Sequence, residues 1–125
     1  MRNDNMAINV TWVEFPVIDI ERAAKFYQHV FKMDEGSRYD DEQRRTLILS
    51  GDGMPGFSLN QTANFEPSDK GAYVYLSCGD DLGGHMARVT EAGGTVMTEK
   101  TSMDDTVSYC TVKDTEGNVF GLSGS

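Results

Sequence analysis

The stretch from 11 to 31, TWVEFPVIDIERAAKFYQHVF, sets a single carboxylate, Glu14, among Trp12, Val13, Phe15 and Val17. In an extended strand the side chains at 12, 14 and 16 share one face, and those at 13, 15 and 17 share the other. An acid on an aromatic-lined face could act as a general base, removing a proton alpha to a carbonyl. It could equally pair with an amine or guanidine ligand stacked on a nearby ring. The plainer reading is a carboxylate hydrogen-bonded to Tyr75 or a backbone amide, which fixes the sheet and does nothing else.

The other groups capable of chemistry are few. His29 and His85 fall on segments with helical spacing, and they read as helix-surface or partly packed residues. Cys78 and Cys110 sit in apparent strands without CxxC spacing, so they read as reduced, packed thiols of a cytoplasmic protein. Most of the seven methionines read as core filler, with Met54 and Met103 in loops where a ligand could touch them. GDGMPG has neither GxGxxG nor P-loop spacing and reads as a turn, not a phosphate cradle. YDDEQRR reads as a charged hairpin.

The elements that must position Glu14 can be read from periodicity. Residues 7–17 alternate as a half-buried strand. Asp19 then offers an N-cap to a helix reaching about Met33, with Ile20, Ala23, Ala24, Tyr27, Val30 and Phe31 on one face. RRTLILS and GFSLN read as strands, and residues 60–71 as a loop that Pro67 keeps from being helical. AYVYLSCG is a further strand, followed by a helix capped by Asp80 or Asp81, with Leu82, Met86 and Val89 on its inner face. Gly83 and Gly84 weaken that helix by about 1 kcal/mol each relative to Ala, and Gly93-Gly94 ends it. TVMTEK, VSYCTVK and NVFGLS complete the strands, the last two joined by the turn DTEGN.

This order repeats. Trp12–Asp19 and Tyr73–Asp80 both run from strand to Asp to helix, 73 − 12 = 61 residues apart. Two βαβββ units, about 7–60 and 71–123, therefore make one domain spanning 1–125, each copy needing the other to cover its sheet. The fold class is α+β, with a curved mixed sheet around a central cup and the helices outside. Whether the units pair within one chain or between two is open at this level.

Composition bounds the function. The 125 residues are 38% hydrophobic and 25% charged, as in a soluble globular domain. A net charge of −9 opposes binding to nucleic acid and to anionic membrane surfaces, and it suits neutral or cationic small molecules. The N-terminal MRNDNMAINV lacks the apolar run of a signal peptide or membrane span.

Val17, Asp19, Ile20, Phe26 and Tyr27 after the first strand, and Asp114, Glu116, Gly117 and Asn118 before the last, stand in the order seen in one known family. With the repeat, they make the chain resemble the vicinal oxygen chelate superfamily from about Asn9 to Leu122. That group includes glyoxalase I, extradiol dioxygenases, fosfomycin-resistance enzymes and bleomycin-binding proteins. The resemblance implies a metal in the cup, held by His or Gln, Glu, His and Glu from four strands. The matching positions here are Trp12, Ser58, Tyr73 and Gly121, none of which is His, Glu or Asp. No metal or other cofactor is therefore expected.

The same register sends Trp12 and Glu14 into the cup. Ser58 and Asn60 join them above Phe57 and Leu59, with Tyr73, Tyr75 and Ser77 from the other half, and Val119 and Gly121 on the last wall. A lone acid in such an enclosure would be desolvated, favouring its protonated form. The leading expectation is a metal-free, bleomycin-resistance-like binder of a small cationic or aromatic molecule, acting as a homodimer. The alternative is a lactoylglutathione-lyase-like enzyme, an isomerase, epimerase or lyase on a carbonyl compound, with Glu14 as base. An accessory subunit with a vestigial cup is the third.

Overall fold

A computed structural model describes residues 10–49 and 56–125. The chain runs β1 (Val13–Pro16), α1 (Ile20–Phe31), β2 (Ser37–Asp40), β3 (Arg44–Leu49), β4 (Phe57–Thr62), β5 (Tyr75–Ser77), α2 (Leu82–Glu91), β6 (Thr95–Val96), β7 (Thr101–Ser102), β8 (Ser108–Lys113) and β9 (Val119–Gly124). Two mixed sheets result. Sheet A has the order β1-β4-β3-β2, with β1 parallel to β4. Sheet B has the order β5-β9-β8-β6, with β5 parallel to β9 and β7 also pairing with β8. The α+β class expected from the repeat is the class observed.

Helix α1 begins where Asp19 Oδ1 accepts the Glu21 and Arg22 amides at 3.1 Å. It ends where Lys32 turns left-handed at φ 53°. Its buried face, Ile20, Ala23, Ala24, Phe26, Tyr27 and Val30, meets Phe15, Leu47, Leu49 and Leu59 of sheet A and Phe120 and Leu122 of sheet B in one core. Strand alternation leaves the opposite face of each sheet outside this core.

The expected elements are present with shifted bounds. The first strand is confined to Val13–Pro16, with residues 7–9 outside the described range, and the strand expected over 72–79 is only Tyr75–Ser77. Of the strand expected at 95–100 only Thr95–Val96 forms, as β6, with β7 beyond it at Thr101–Ser102, and β4 runs on to Thr62 in place of loop. Asp81 stands at the N-cap of α2 but makes no side-chain cap bond, since its carboxylate turns to Arg88 at 3.1 Å. Gly84 leaves room for that carboxylate, which a Cβ would overlap. The 51–55 turn and Met54 lie outside the described residues.

The family motifs form the joint between the two units. Asp114 Oδ1 accepts the amides of Glu116, Gly117 and Asn118 at 2.8–2.9 Å, and Gly117 supplies the left-handed φ of 105° that closes the turn. Asp114 Oδ2 accepts the Tyr27 hydroxyl at 2.6 Å. Asn118 donates to the Pro16 carbonyl at 2.8 Å. Glu116 Oε1 accepts the Ile18 and Asp19 amides at 2.9 and 2.8 Å, and Arg22 Nε reaches Oε2 at 2.7 Å. Burial pushes the Glu116 carboxyl up in pKa, but Arg22, the Asp19 amide, the Thr115 hydroxyl and the Ile18 amide outweigh it and hold the value below the ordinary one. The motif thus fixes the second unit against the start of α1, which is why it marks a fold and not a reaction.

Candidate functional site in sheet A

The open face of sheet A follows from its register. Glu14 stands beside Ser58, which stands beside Ile48, and Pro16 stands beside Asn60, which stands beside Thr46. Trp12, Glu14, Ser58, Asn60, Thr46 and Arg44 therefore share this face. A chain of hydrogen bonds forms its floor. Trp12 Nε1 donates to Ser58 Oγ at 3.2 Å, Asn60 Nδ2 donates to the same oxygen at 3.0 Å, and Thr46 donates to Asn60 Oδ1 at 3.1 Å. Ser58 and Asn60 are buried under this network although they lie on the sheet's open side.

Above the floor is a cavity of about 370 Å³ bounded by Trp12, Glu14 and Ser58, with Tyr39, Asp41 and Arg44 from the β2–β3 hairpin. That volume lies in the range of small-molecule sites. Asp41 is occupied by the hairpin itself, accepting the Gln43 and Arg44 amides at 2.8 and 2.9 Å. Glu14 lies 3.6 Å from Arg44, and the two side chains are 44% and 39% exposed. An open pair of this length contributes at most about 1 kcal/mol and is easily parted.

Two expectations need correction here. Glu14 is not enclosed by aromatic rings, because the sheet edge and hairpin leave it half in water. Its partner is Arg44, not Tyr75 or a backbone amide. The YDDEQRR hairpin forms as read, and it also supplies a wall of the cavity. The signal for Arg44 was its alternation with Thr46 and Ile48, which becomes legible only once the β3–β4 register is known.

Trp12, Glu14, Ser58 and Asn60 are thus brought together, while Tyr73, Tyr75 and Gly121 are not part of that cavity. Tyr75 and Gly121 share the open face of sheet B, where the Tyr75 ring lies over Gly121 and meets Tyr109 edge-on at 6.1 Å, and the exposed Tyr73 lies just before β5. A Cβ on Gly121 would overlap that ring. Met103 is exposed in the turn after β7, away from the cavity. His29 pairs with Glu91 between the helices at 2.8 Å, and His85 lies by Asp81 and Arg88. Cys78 and Cys110 are both unbridged and buried, and burial, aided by the charge of Cys110, pushes the Cys78 thiol up to about 12.

The model of the Glyoxalase/Bleomycin resistance protein/Dioxygenase superfamily matches residues 9–122. The chain belongs to this superfamily. A glyoxylase-like domain-containing protein from Didymella fabae is 28% identical over 118 residues, covering 90% of this chain and 91% of that one. A glyoxylase/bleomycin resistance protein/dioxygenase domain from Frankia superposes with a TM-score of 0.75 at 15% identity, covering 95% and 99%. A glyoxalase I mutant from Zea mays gives 0.70 at 20% identity, covering 90% of this chain and 43% of that one. These likenesses carry the fold.

The metal that the superfamily implies does not fit the residues present. The indole nitrogen of Trp12 is a donor with no lone pair to offer, and Ser58 Oγ already accepts two hydrogen bonds. Tyr73 lies just before β5 and Gly121 on β9 of the other sheet, and Gly121 has no side chain. Among the described residues no three His, Cys, Asp or Glu side chains converge as ligands would. Nor, among them, is any helix long and apolar enough to cross a membrane.

Proposed function

We propose that the protein binds a small aromatic or cationic molecule in the sheet A cavity, in the manner of a bleomycin-resistance-like binder and without a metal. The observation that carries this reading is the placing of Trp12, Glu14 and Ser58 around one cavity whose donors suit hydrogen bonding and charge pairing but not a divalent ion. Wild type and Glu14→Gln, screened by thermal shift against cationic aromatics and small ketoacids, test it. At least one compound should stabilise wild type more than the variant. Identical profiles would return Glu14 to a structural role. Protein dialysed against trace nickel, zinc and manganese should retain far less than one equivalent by elemental analysis, and stoichiometric metal would overturn the metal-free reading.

Catalysis on a carbonyl compound with Glu14 as base is supported less well. A general base must be free to reach the proton it removes, and the Glu14 carboxylate is instead turned to Arg44 at 3.6 Å in a nearly half-exposed setting. Turnover lost only in Glu14→Gln would reinstate it. We also propose that the working form is a homodimer in which a second copy covers the exposed Tyr75 of sheet B and Tyr73 just before it. Light scattering at micromolar concentration that finds only monomer would remove this part.

A further inference from the structure

We infer that the cavity takes a zwitterion: a small molecule with an aromatic body, a cationic amine for Glu14, and a carboxylate for Arg44 and the Ser58 hydroxyl. This rests on the binding reading above and narrows its ligand class.

Arg44 decides the class. A ligand bearing only a cation must settle on Glu14 with the Arg44 guanidinium close by, deprived of its partner and repelling the newcomer. A ligand bearing only an anion meets the mirror problem with Glu14. A zwitterion satisfies both ends at once, replacing one long, half-hydrated contact of 3.6 Å with two shorter ones in a drier setting. The other acids at the cavity do not compete for the amine on equal terms. Asp41 is held by two turn amides, and Asp40 faces Arg45 at 3.6 Å.

Ser58 supplies an independent indication of where the carboxylate goes. Its oxygen accepts from both Trp12 and Asn60, so both lone pairs are used. Its own hydrogen has no acceptor among the described residues, although the residue is only 1% exposed and borders the cavity. A hydroxyl so committed can only donate. It therefore favours a ligand acceptor and rejects a donor at the same spot. Trp12 and Tyr39, both partly exposed at the cavity, suit an aromatic body.

Titration calorimetry with matched probes tests the inference at fixed ionic strength. One set is L-tryptophan, tryptamine and indole-3-propionate; the second is L-phenylalanine, phenethylamine and 3-phenylpropionate. In at least one set the zwitterion should bind wild type about tenfold or more tightly than either singly charged relative. Arg44→Gln should abolish its advantage over the amine, and Glu14→Gln its advantage over the acid. Ser58→Ala should weaken zwitterion and acid severalfold more than the amine, a pattern that mere loosening of the floor, which would weaken all three alike, would not give. An amine that equals or exceeds its zwitterion in wild type would overturn the zwitterion assignment and leave the binding reading standing. An acid that does so would have the same effect. If none of the six binds, both readings fall.

Discussion

Two glutamates, Glu14 and Glu116, divide the molecule into a part that is tied and a part that is open. Glu116 has no exposed side-chain surface and accepts from two amides, Arg22 and Thr115. Glu14 is nearly half exposed and has one distant partner. The same functional group is a structural joint in one place and an available recognition group in the other. What separates them is how many donors the chain has already aimed at each. An acid whose lone pairs are filled by backbone amides has no capacity left for a ligand.

The contrast can be broken most severely at the joint. Glu116→Ala should lower stability by about 2–3 kcal/mol, because two amides lose their acceptor and Arg22 its partner. Urea denaturation monitored by circular dichroism measures this, and a loss no larger than that of an exposed Glu→Ala control would show that the joint carries no load. Tyr27→Phe removes one 2.6 Å bond to Asp114, which keeps its three amide donors, and should cost about 1–2 kcal/mol.

Acid sharpens the comparison further. The folded Glu116 pKa is depressed below its ordinary value of 4.5, so its contribution is complete above that pH and is lost as pH falls through the folded value. In that window the unfolded chain takes up the proton first. Stability should therefore decline less steeply below pH 4.5 in Glu116→Gln than in wild type.

Gly121→Ala forces the Tyr75 ring off its seat on the open side of sheet B, and an effect of about 1 kcal/mol is expected because the ring can swing toward solvent. The smallest effect belongs to Glu14→Gln, within about 0.5 kcal/mol in stability, with its consequences confined to ligand binding. Should Glu14→Gln destabilise as much as Glu116→Gln, the division between joint and open site would fail.

Much of the fold was legible because its signals are local. Asp19 caps the helix it precedes, the inner face of α1 repeats at helical spacing, and DTEGN closes its own turn. Alternation also assigned Trp12, Glu14, Ser58 and Asn60 to one face correctly. Period two, however, says which side of a sheet a residue occupies, not which other sheet stands opposite. The repeat suggested that Tyr73 and Tyr75 would look across at Glu14, and within one chain neither lines its cavity with Arg44. The roles of Arg44 and Glu116 were hidden for a related reason. Each depends on a partner brought near by tertiary pairing, Arg44 through the β3–β4–β1 register and Glu116 through contact with a helix start nearly a hundred positions earlier.

That last separation bears on how the chain acquires its shape during synthesis. The first helix emerges from the ribosome early, yet the carboxylate that completes the bonding at its entry lies 97–98 residues downstream. Until the final hairpin has been made, the amides of Ile18 and Asp19 have only water to meet them. Contacts this remote in sequence slow folding, because a long loop must close before they form. The start of α1 must therefore wait, part-ordered, for Glu116 to be made, and ribosome-bound chains halted before residue 116 should be correspondingly easy to cleave with protease.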